Sequence, residues 1–362
     1  MSIYELPTVT VSGSLEEMGF DQGEAFRALI QRFVPMRLAA ARQYFSENGS
    51  GSVDELLAVG RECFEIFKAW DPDGYMEHCA VAQGAAVKAV ELFSAGNMTD
   101  FRDVVMLGKS PDSEGCSAVL IPGARTADGE ILVVQTWDLN PQDIDYVVGI
   151  HRKPDNAPES WSVTVSGCPS LVGMNSEGVA VGTTNIKTWG AVAGVGYMNL
   201  LHRALSKSDF ESASQVILQA PRSGAHTYWV ADADNACLWE TTPTQAEPRN
   251  VAEQGPVYQT NHCLYEGIVA NEWQPASPSS LARHTRLTAE FASGQQTLEG
   301  LRTLFSDRSD GVDSLNRYAE DEQGTATNSV VLAVPARHEL WACRGPADRG
   351  VWQQLRFDTV WP

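Results

Sequence analysis

The sequence predicts an α+β domain built in layers, and three observations carry that prediction. Helical periodicity runs through the first third of the chain, and the texture switches at Cys116 to short β-branched runs. Beyond that point, pairs of such runs are joined by hairpin-length connections. Runs of helices flanking runs of antiparallel strands make a layered α+β arrangement.

Ser14-x-x-Glu17 has the pattern of a capping box and precedes apolar residues at helical spacing, Met18 to Phe33, with Pro35 expected to kink or interrupt the segment. Ser52-x-x-Glu55 caps a second helix running towards Asp71-Pro72, a third covers Tyr75 to Phe93, and a short one lies near Phe101 to Leu107. Strands are expected at Ala118–Ile121, Ile131–Thr136, Tyr146–His151, Trp161–Val165 and Val179–Thr183. Helices return at Tyr197–Leu205, Ser212–Gln219 and Leu281–Phe291. Strands resume at Thr227–Ala231, Ala236–Glu240, Val257–Thr260, Ser329–Val334 and His338–Cys343. Trp137, Trp189 and Tyr228 are expected in the core or in a pocket wall.

Length and charge narrow the function. A chain of 362 residues buries a sizeable core without staples. Its net charge of −20 argues against nucleic acid and against anionic membrane surfaces as partners. Seven cysteines with no C-x-x-C pair argue against a disulfide framework and against a zinc site; no metal and no cofactor are expected. The first residues lack a basic region followed by an apolar one, and a cytoplasmic location is the expectation.

One cysteine stands apart. Cys116 follows Gly115 and opens a strand whose hairpin partner ends at Trp137-Asp138, which brings Asp138 back beside the start of the first strand. Were the Gly115–Cys116 peptide cut, Cys116 would carry an α-amino group able to act as base beside its own thiol. Nucleophile and base would then come from one residue.

The stretch E-G-C-S…Q-T-W-D-L resembles the processing site and first hairpin of N-terminal-nucleophile (Ntn) hydrolases. It is most similar to the acyl-coenzyme A:aminopenicillanate acyltransferase family, and more distantly to the choloylglycine hydrolases and acid ceramidases. Further stretches extend the resemblance from about residue 15 to 345: Gly19-Phe20-Asp21-Gln22-Gly23, Gly173 to Ala180 around Asn175, Asn185, Thr260-Asn261-His262, and Ser280-Leu281-Ala282-Arg283-His284-Thr285-Arg286.

The resemblance implies a four-layer αββα sandwich with antiparallel sheets. It also implies self-cleavage into a helical segment, 1–115, and a catalytic segment, 116–362, held together as a permanent heterodimer. Cys116 matches the nucleophile, Asp138 the aspartate that holds its amine, and Asn261 the oxyanion donor; Arg283 is the arginine expected to support the site. Asn175, Asn185, Trp137 and Ser117 are the expected substrate contacts. The implied activity is hydrolysis of a linear, non-peptide C–N bond in a small N-acyl compound. Acyl transfer to an amine and a non-catalytic ligand-binding role are the alternatives. The sequence departs from the family at Gly324-Thr325-Ala326-Thr327, where the penicillin acyltransferases carry an arginine beside the site.

Overall fold

In the computed structural model, residues 3–108 and 115–358 are described; Glu114 of the E-G-C-S stretch lies outside them. The first third is helical: α1 (Leu15–Ala25), α2 (Arg27–Asn48), α3 (Val53–Trp70), α4 (Pro72–Ala85), α5 (Ala89–Gly96) and α6 (Met98–Val105). Ser14 and Glu17 close the capping box of α1, and the Ser52 hydroxyl accepts from the Glu55 amide at the start of α3.

Two expectations fail here. The break falls at Phe26 instead of Pro35, and α2 runs on through the proline. Pro35 is exposed, so the carbonyl it leaves without a backbone donor faces water, while Phe33, Val34 and Arg37 are held in the core on the other side. The helix expected over Tyr75 to Phe93 is two helices, parted at Ala86 in the left-handed region (φ 55°), where the Val87 amide bonds back to Ala82.

Eight strands form one sheet, in the order β1 (Thr8–Gly13), β4 (Val147–Pro154), β5 (Ser160–Val165), β6 (Val172–Asn175), β7 (Ala180–Asn185), β8 (His226–Ala231), β9 (Ala236–Thr241) and β10 (Ala246–Asn250). Six form the other: β11 (Val257–Gln259), β2 (Ser117–Ile121), β3 (Leu132–Leu139), β12 (Ala326–Val334), β13 (Glu339–Arg344) and β14 (Gln353–Leu355). Every named pairing is antiparallel except β1 with β4, which is parallel. The remaining helices are α7 (Tyr197–Leu205), α8 (Phe210–Gln219), α9 (Val251–Gln254), α10 (Glu266–Val269), α11 (Pro278–Glu290) and α12 (Leu298–Ser306). β1, β6, β10, β14, α9, α10 and α12 are additions to the expected elements.

Alternation along the six-stranded sheet sets the layers. Val119, Ile121, Leu132, Val134, Val330 and Leu332 pack with Leu287 of α11, Phe291 at its C-cap, and Leu301 and Phe305 of α12. Their neighbours Ala118, Leu120, Val133, Val331 and Ala333 face the other way, into the core shared with the eight-stranded sheet. α1 lies against β1 and β4, α7 against β6 and β7, and α8 against β8. The result is the four-layer αββα sandwich.

Glycines bring α1 and α4 together. A Cβ on Gly19 would lie 2.4 Å from the Glu77 carbonyl oxygen, and one on Gly23 would lie 2.2 Å from that of Val81. The glycine-spaced opening motif is therefore a helix-crossing surface. Trp189, expected in a core or pocket wall, is 60% exposed, because its loop lies over the surface with its amide bonded to Asn271. Tyr228 is buried. No helix among the described residues is long and apolar enough to cross a membrane.

Candidate active site

Three elements meet at Cys116. The β2–β3 hairpin pairs Ser117 with Thr136, so the chain just before β2 runs beside Asp138, and the Gly115 amide donates to the Asp138 carbonyl at 3.2 Å. On its other side β2 pairs with β11, Ala118 opposite Gln259, which delivers Asn261 next to Cys116. α11 lies underneath and contributes Arg283.

These groups hold the backbone of Cys116 without a sheet ladder. Its N–H donates to Asn261 Oδ1 at 2.8 Å, and its carbonyl accepts from Arg283 Nη1 at 2.6 Å. Arg283 also donates to Ser117 Oγ at 2.9 Å and, through Nη2, to Asn261 Oδ1 at 2.9 Å. Two donors converging on Oδ1 fix the orientation of the Asn261 amide. Its Nδ2 donates to the Asn185 carbonyl at 3.0 Å, and its backbone N–H is held by Ser280 Oγ at 2.8 Å.

The charges are buried. Asp138 and Arg283 are inaccessible to solvent. Desolvation lifts the Asp138 carboxyl to about 6, against the pull of the Arg317 and Arg283 guanidiniums. The same burial lowers Arg283 to about 10, with Asp138 opposing the change. One Asp138 oxygen accepts from Thr136 Oγ1 at 3.3 Å; the other, Oδ1, has no hydrogen-bond partner among the described residues.

Cys116 lines a small cavity, of about 20 Å³, whose walls include Trp137, Asp138, Leu171, Thr183, Tyr197 and His226. Asn185 lines this cavity and also a second, of about 60 Å³, bordered by Asn261, Lys187, Glu272 and Trp273. Burial lowers Lys187 to about 7, and the nearby Arg102 adds to that effect.

Of the residues predicted from sequence, Cys116, Asp138, Asn261, Arg283, Gly115, Asn185 and Trp137 come together here. Two predicted substrate contacts do not. Asn175 sits in the β6–β7 turn with its whole amide engaged: Oδ1 accepts from the Glu177 and Val179 amides, and Nδ2 donates to the Leu205 and Lys207 carbonyls. Ser117 is fully buried with its hydroxyl on Arg283, away from the cavity. Arg286, one turn from Arg283, points outward to Asp307.

The sequence reading missed Arg317. A Cβ on Gly115 would lie 2.1 Å from Arg317 Nη1, and Arg317 is 2% exposed. Its backbone is bonded on both sides to Thr327: the Arg317 amide to Thr327 Oγ1 at 2.9 Å, the Thr327 amide to the Arg317 carbonyl at 3.1 Å. So the segment that lacked the family arginine holds one in place from ten residues upstream. No local motif marks Arg317. The described residues that bring three potential metal ligands together, His151, Glu159 and Asp358, do not line the Cys116 cavity.

The profile of the family described as acyl-coenzyme A:6-aminopenicillanic acid acyl-transferase matches residues 124–347, beginning downstream of Cys116 and spanning Asp138, Asn261 and Arg283. The acyl-coenzyme A:6-aminopenicillanic-acid-acyltransferase 40 kDa form of Emericella nidulans is 26% identical over 302 residues, 83% of this chain and 81% of that relative. Among solved structures, penicillin V acylase from Agrobacterium tumefaciens overlaps 63% of this chain and 83% of its own at 8% identity and a TM-score of 0.38. A variant of conjugated bile acid hydrolase from Clostridium perfringens overlaps 67% of this chain and 97% of its own at 10% identity and a TM-score of 0.41. Both overlaps are loose, and the fold assignment rests on the layers described above.

Proposed function

From the premise that the chain belongs to the acyl-coenzyme A:6-aminopenicillanic acid acyl-transferase family, Ntn-type enzymes of acyl transfer and amide hydrolysis, we propose a self-activated cysteine amidohydrolase. The observation that supports it most is the enclosure of the Gly115–Cys116 link. The Gly115 amide, the Cys116 amide and the Cys116 carbonyl are each held by a different part of the chain, and Cys116 lines a cavity.

In maturation the Cys116 thiol attacks the Gly115 carbonyl. The C–N bond breaks, a thioester forms, and the thiol proton ends on the released α-amine. Water then hydrolyses the thioester, leaving segments 1–115 and 116–362 as a permanent heterodimer. In turnover the α-amine takes the thiol proton as sulfur attacks the substrate amide carbonyl, and returns it to the departing nitrogen. Asn261 holds the α-amine through Oδ1. Its Nδ2 carries two hydrogens, one engaged by Asn185, and the second serves the oxyanion. Asp138, through its unpartnered Oδ1, stabilises the ammonium form. Water completes the cycle by hydrolysing the acyl-thioester on Cys116. The substrate is a small N-acyl compound.

Intact-mass spectrometry tests this reading. Wild type is expected as two chains and Cys116→Ala as one of about 39.4 kDa. A wild type that remains whole, and releases no amine from a panel of N-acyl amines, sinks it.

Transfer to an amine is the second reading. It is favoured by the acyltransferase name of the Emericella nidulans relative and by the second cavity meeting the first at Asn185. Faster thiol release from an acyl-thioester when an amine is added distinguishes it from hydrolysis.

A further inference from the structure

The mechanism above does not use His226, although this residue lines the same cavity as Cys116. His226 opens β8, directly opposite Asn185 of β7, so the two side chains share a face of the sheet. The ring is 1% exposed. It stacks on Tyr197, with centroids 4.8 Å apart and planes at 25°, and leans on Tyr228 at 5.6 Å.

Asp100, from α6, fixes the ring in rotation. His226 Nε2 lies 2.5 Å from Asp100 Oδ1. The other carboxylate oxygen accepts from the Tyr197 amide at 3.1 Å and from Ser223 Oγ at 3.0 Å. A carboxylate that accepts on both oxygens requires the hydrogen of the histidine on Nε2. Nδ1 then presents a lone pair. It is buried and has no hydrogen-bond partner among the described residues.

A buried polar atom without a partner is costly, and its persistence in a ligand cavity points to a ligand that satisfies it. The other walls set the body of that ligand. Trp137, Leu139, Leu171 and Tyr197 are apolar or aromatic, and Thr99 and Thr183 add hydroxyls. We propose that His226, oriented by Asp100, is the specificity-determining residue of the acyl pocket, accepting a hydrogen bond from a hydroxyl or N–H carried on an otherwise apolar acyl group. This rests on the cysteine amidohydrolase reading for the identity of the pocket.

Asp100 lies in segment 1–115 and His226 in 116–362, so the anchor spans the two halves that self-cleavage would separate. The helical segment thereby orients a residue of the acyl pocket as well as covering the sheet.

The test pairs binding with turnover on the full-length protein as purified. Calorimetry compares 3-phenylpropanoic acid, its 3- and 4-hydroxyphenyl analogues and the 4-carboxyphenyl analogue, none of which is turned over. At least one hydroxylated acid is expected to bind about tenfold tighter than the parent, the worth of one hydrogen bond to a buried acceptor. His226→Gln keeps a donor for Asp100 and removes Nδ1; it is expected to abolish that preference while its thermal melt stays close to wild type. His226→Phe serves as the harsher control, and should abolish the preference too. Equal affinities across the series, a preference for the 4-carboxyphenyl acid, or a hydroxyl preference unmoved in His226→Gln overturns the proposal. Turnover of the matching 4-nitroanilides reads the amidohydrolase separately. Its failure counts against that chemistry, whereas the acid affinities report on His226.

Discussion

Arg283 Nη1 lies 2.6 Å from the Cys116 carbonyl oxygen, and the same guanidinium reaches Ser117 Oγ and Asn261 Oδ1 at 2.9 Å each. One planar fork thus fixes the strand start, its neighbour and the asparagine that holds the Cys116 amide. An ammonium cannot span those three acceptors from one point. Arg283→Lys is expected to slow appearance of the two chains by roughly ten- to hundredfold, followed by intact mass over time.

Asp138 links pH to stability and to activity in opposite directions. Burial raises its folded carboxyl from the ordinary 3.8 to about 6, so the folded state binds the proton more tightly than the unfolded chain does. The resulting stabilisation is full below about pH 4 and is lost as pH rises towards 6. Relative to Asp138→Asn, the wild type should lose on the order of 3 kcal/mol across that interval in urea unfolding. On the proposed mechanism turnover needs the ionised carboxylate, and the α-ammonium freed by cleavage pulls Asp138 down from its value in the intact chain. Activity in the wild type should therefore rise with pH through a midpoint below about 6. Asp138→Asn should be nearly inactive with no such limb. A wild-type stability profile parallel to that of the variant would refute the assignment.

On the proposed mechanism, substitution at Gly115 separates maturation from turnover. An alanine there would place Cβ 2.1 Å from Arg317 Nη1, forcing the arginine, whose charge acts on Asp138, to shift while the peptide is intact. Gly115→Ala should process about tenfold more slowly or worse. Once cut, residue 115 is no longer bonded to the nucleophile. The kcat of the cleaved fraction, normalised to titrated Cys116, should match wild type within about twofold.

Asn175 is the counter-example, a motif residue whose amide is taken up by backbone groups. Its amide makes four hydrogen bonds to backbone groups around the β6–β7 turn and the end of α7. Asn175→Ala should cost on the order of 3 kcal/mol in denaturant unfolding and leave kcat/KM per active site unchanged. A fall in kcat/KM at constant stability would restore it as a substrate contact.

Much of the fold was legible because the strands alternate cleanly. Val119 and Ile121 against Ala118 and Leu120 mark both faces of β2, and turn residues bound the hairpins. Edge strands such as β10, half-exposed and carrying Glu247, Pro248 and Arg249, have no such pattern, and pairing with β9 alone makes them strands. Pro35 and Ala86 show the same limit in helices. Whether a proline is tolerated, or an alanine turns left-handed, depends on which side faces the core.

By itself the sequence determined the hairpin that starts at Cys116, its return to Asp138, and the short motifs carrying Asn261 and Arg283. Each of those is local, set by turn chemistry and strand period over a few residues. Only the tertiary structure decided that Arg317 stands against Gly115, that Asn175 is used up in its own turn, and that Asp100 orients His226 at the cavity. A buried charge or hydrogen bond is worth what its surroundings exclude. Those surroundings come from α6, β8, α11 and the segment before β12, which are far apart along the chain.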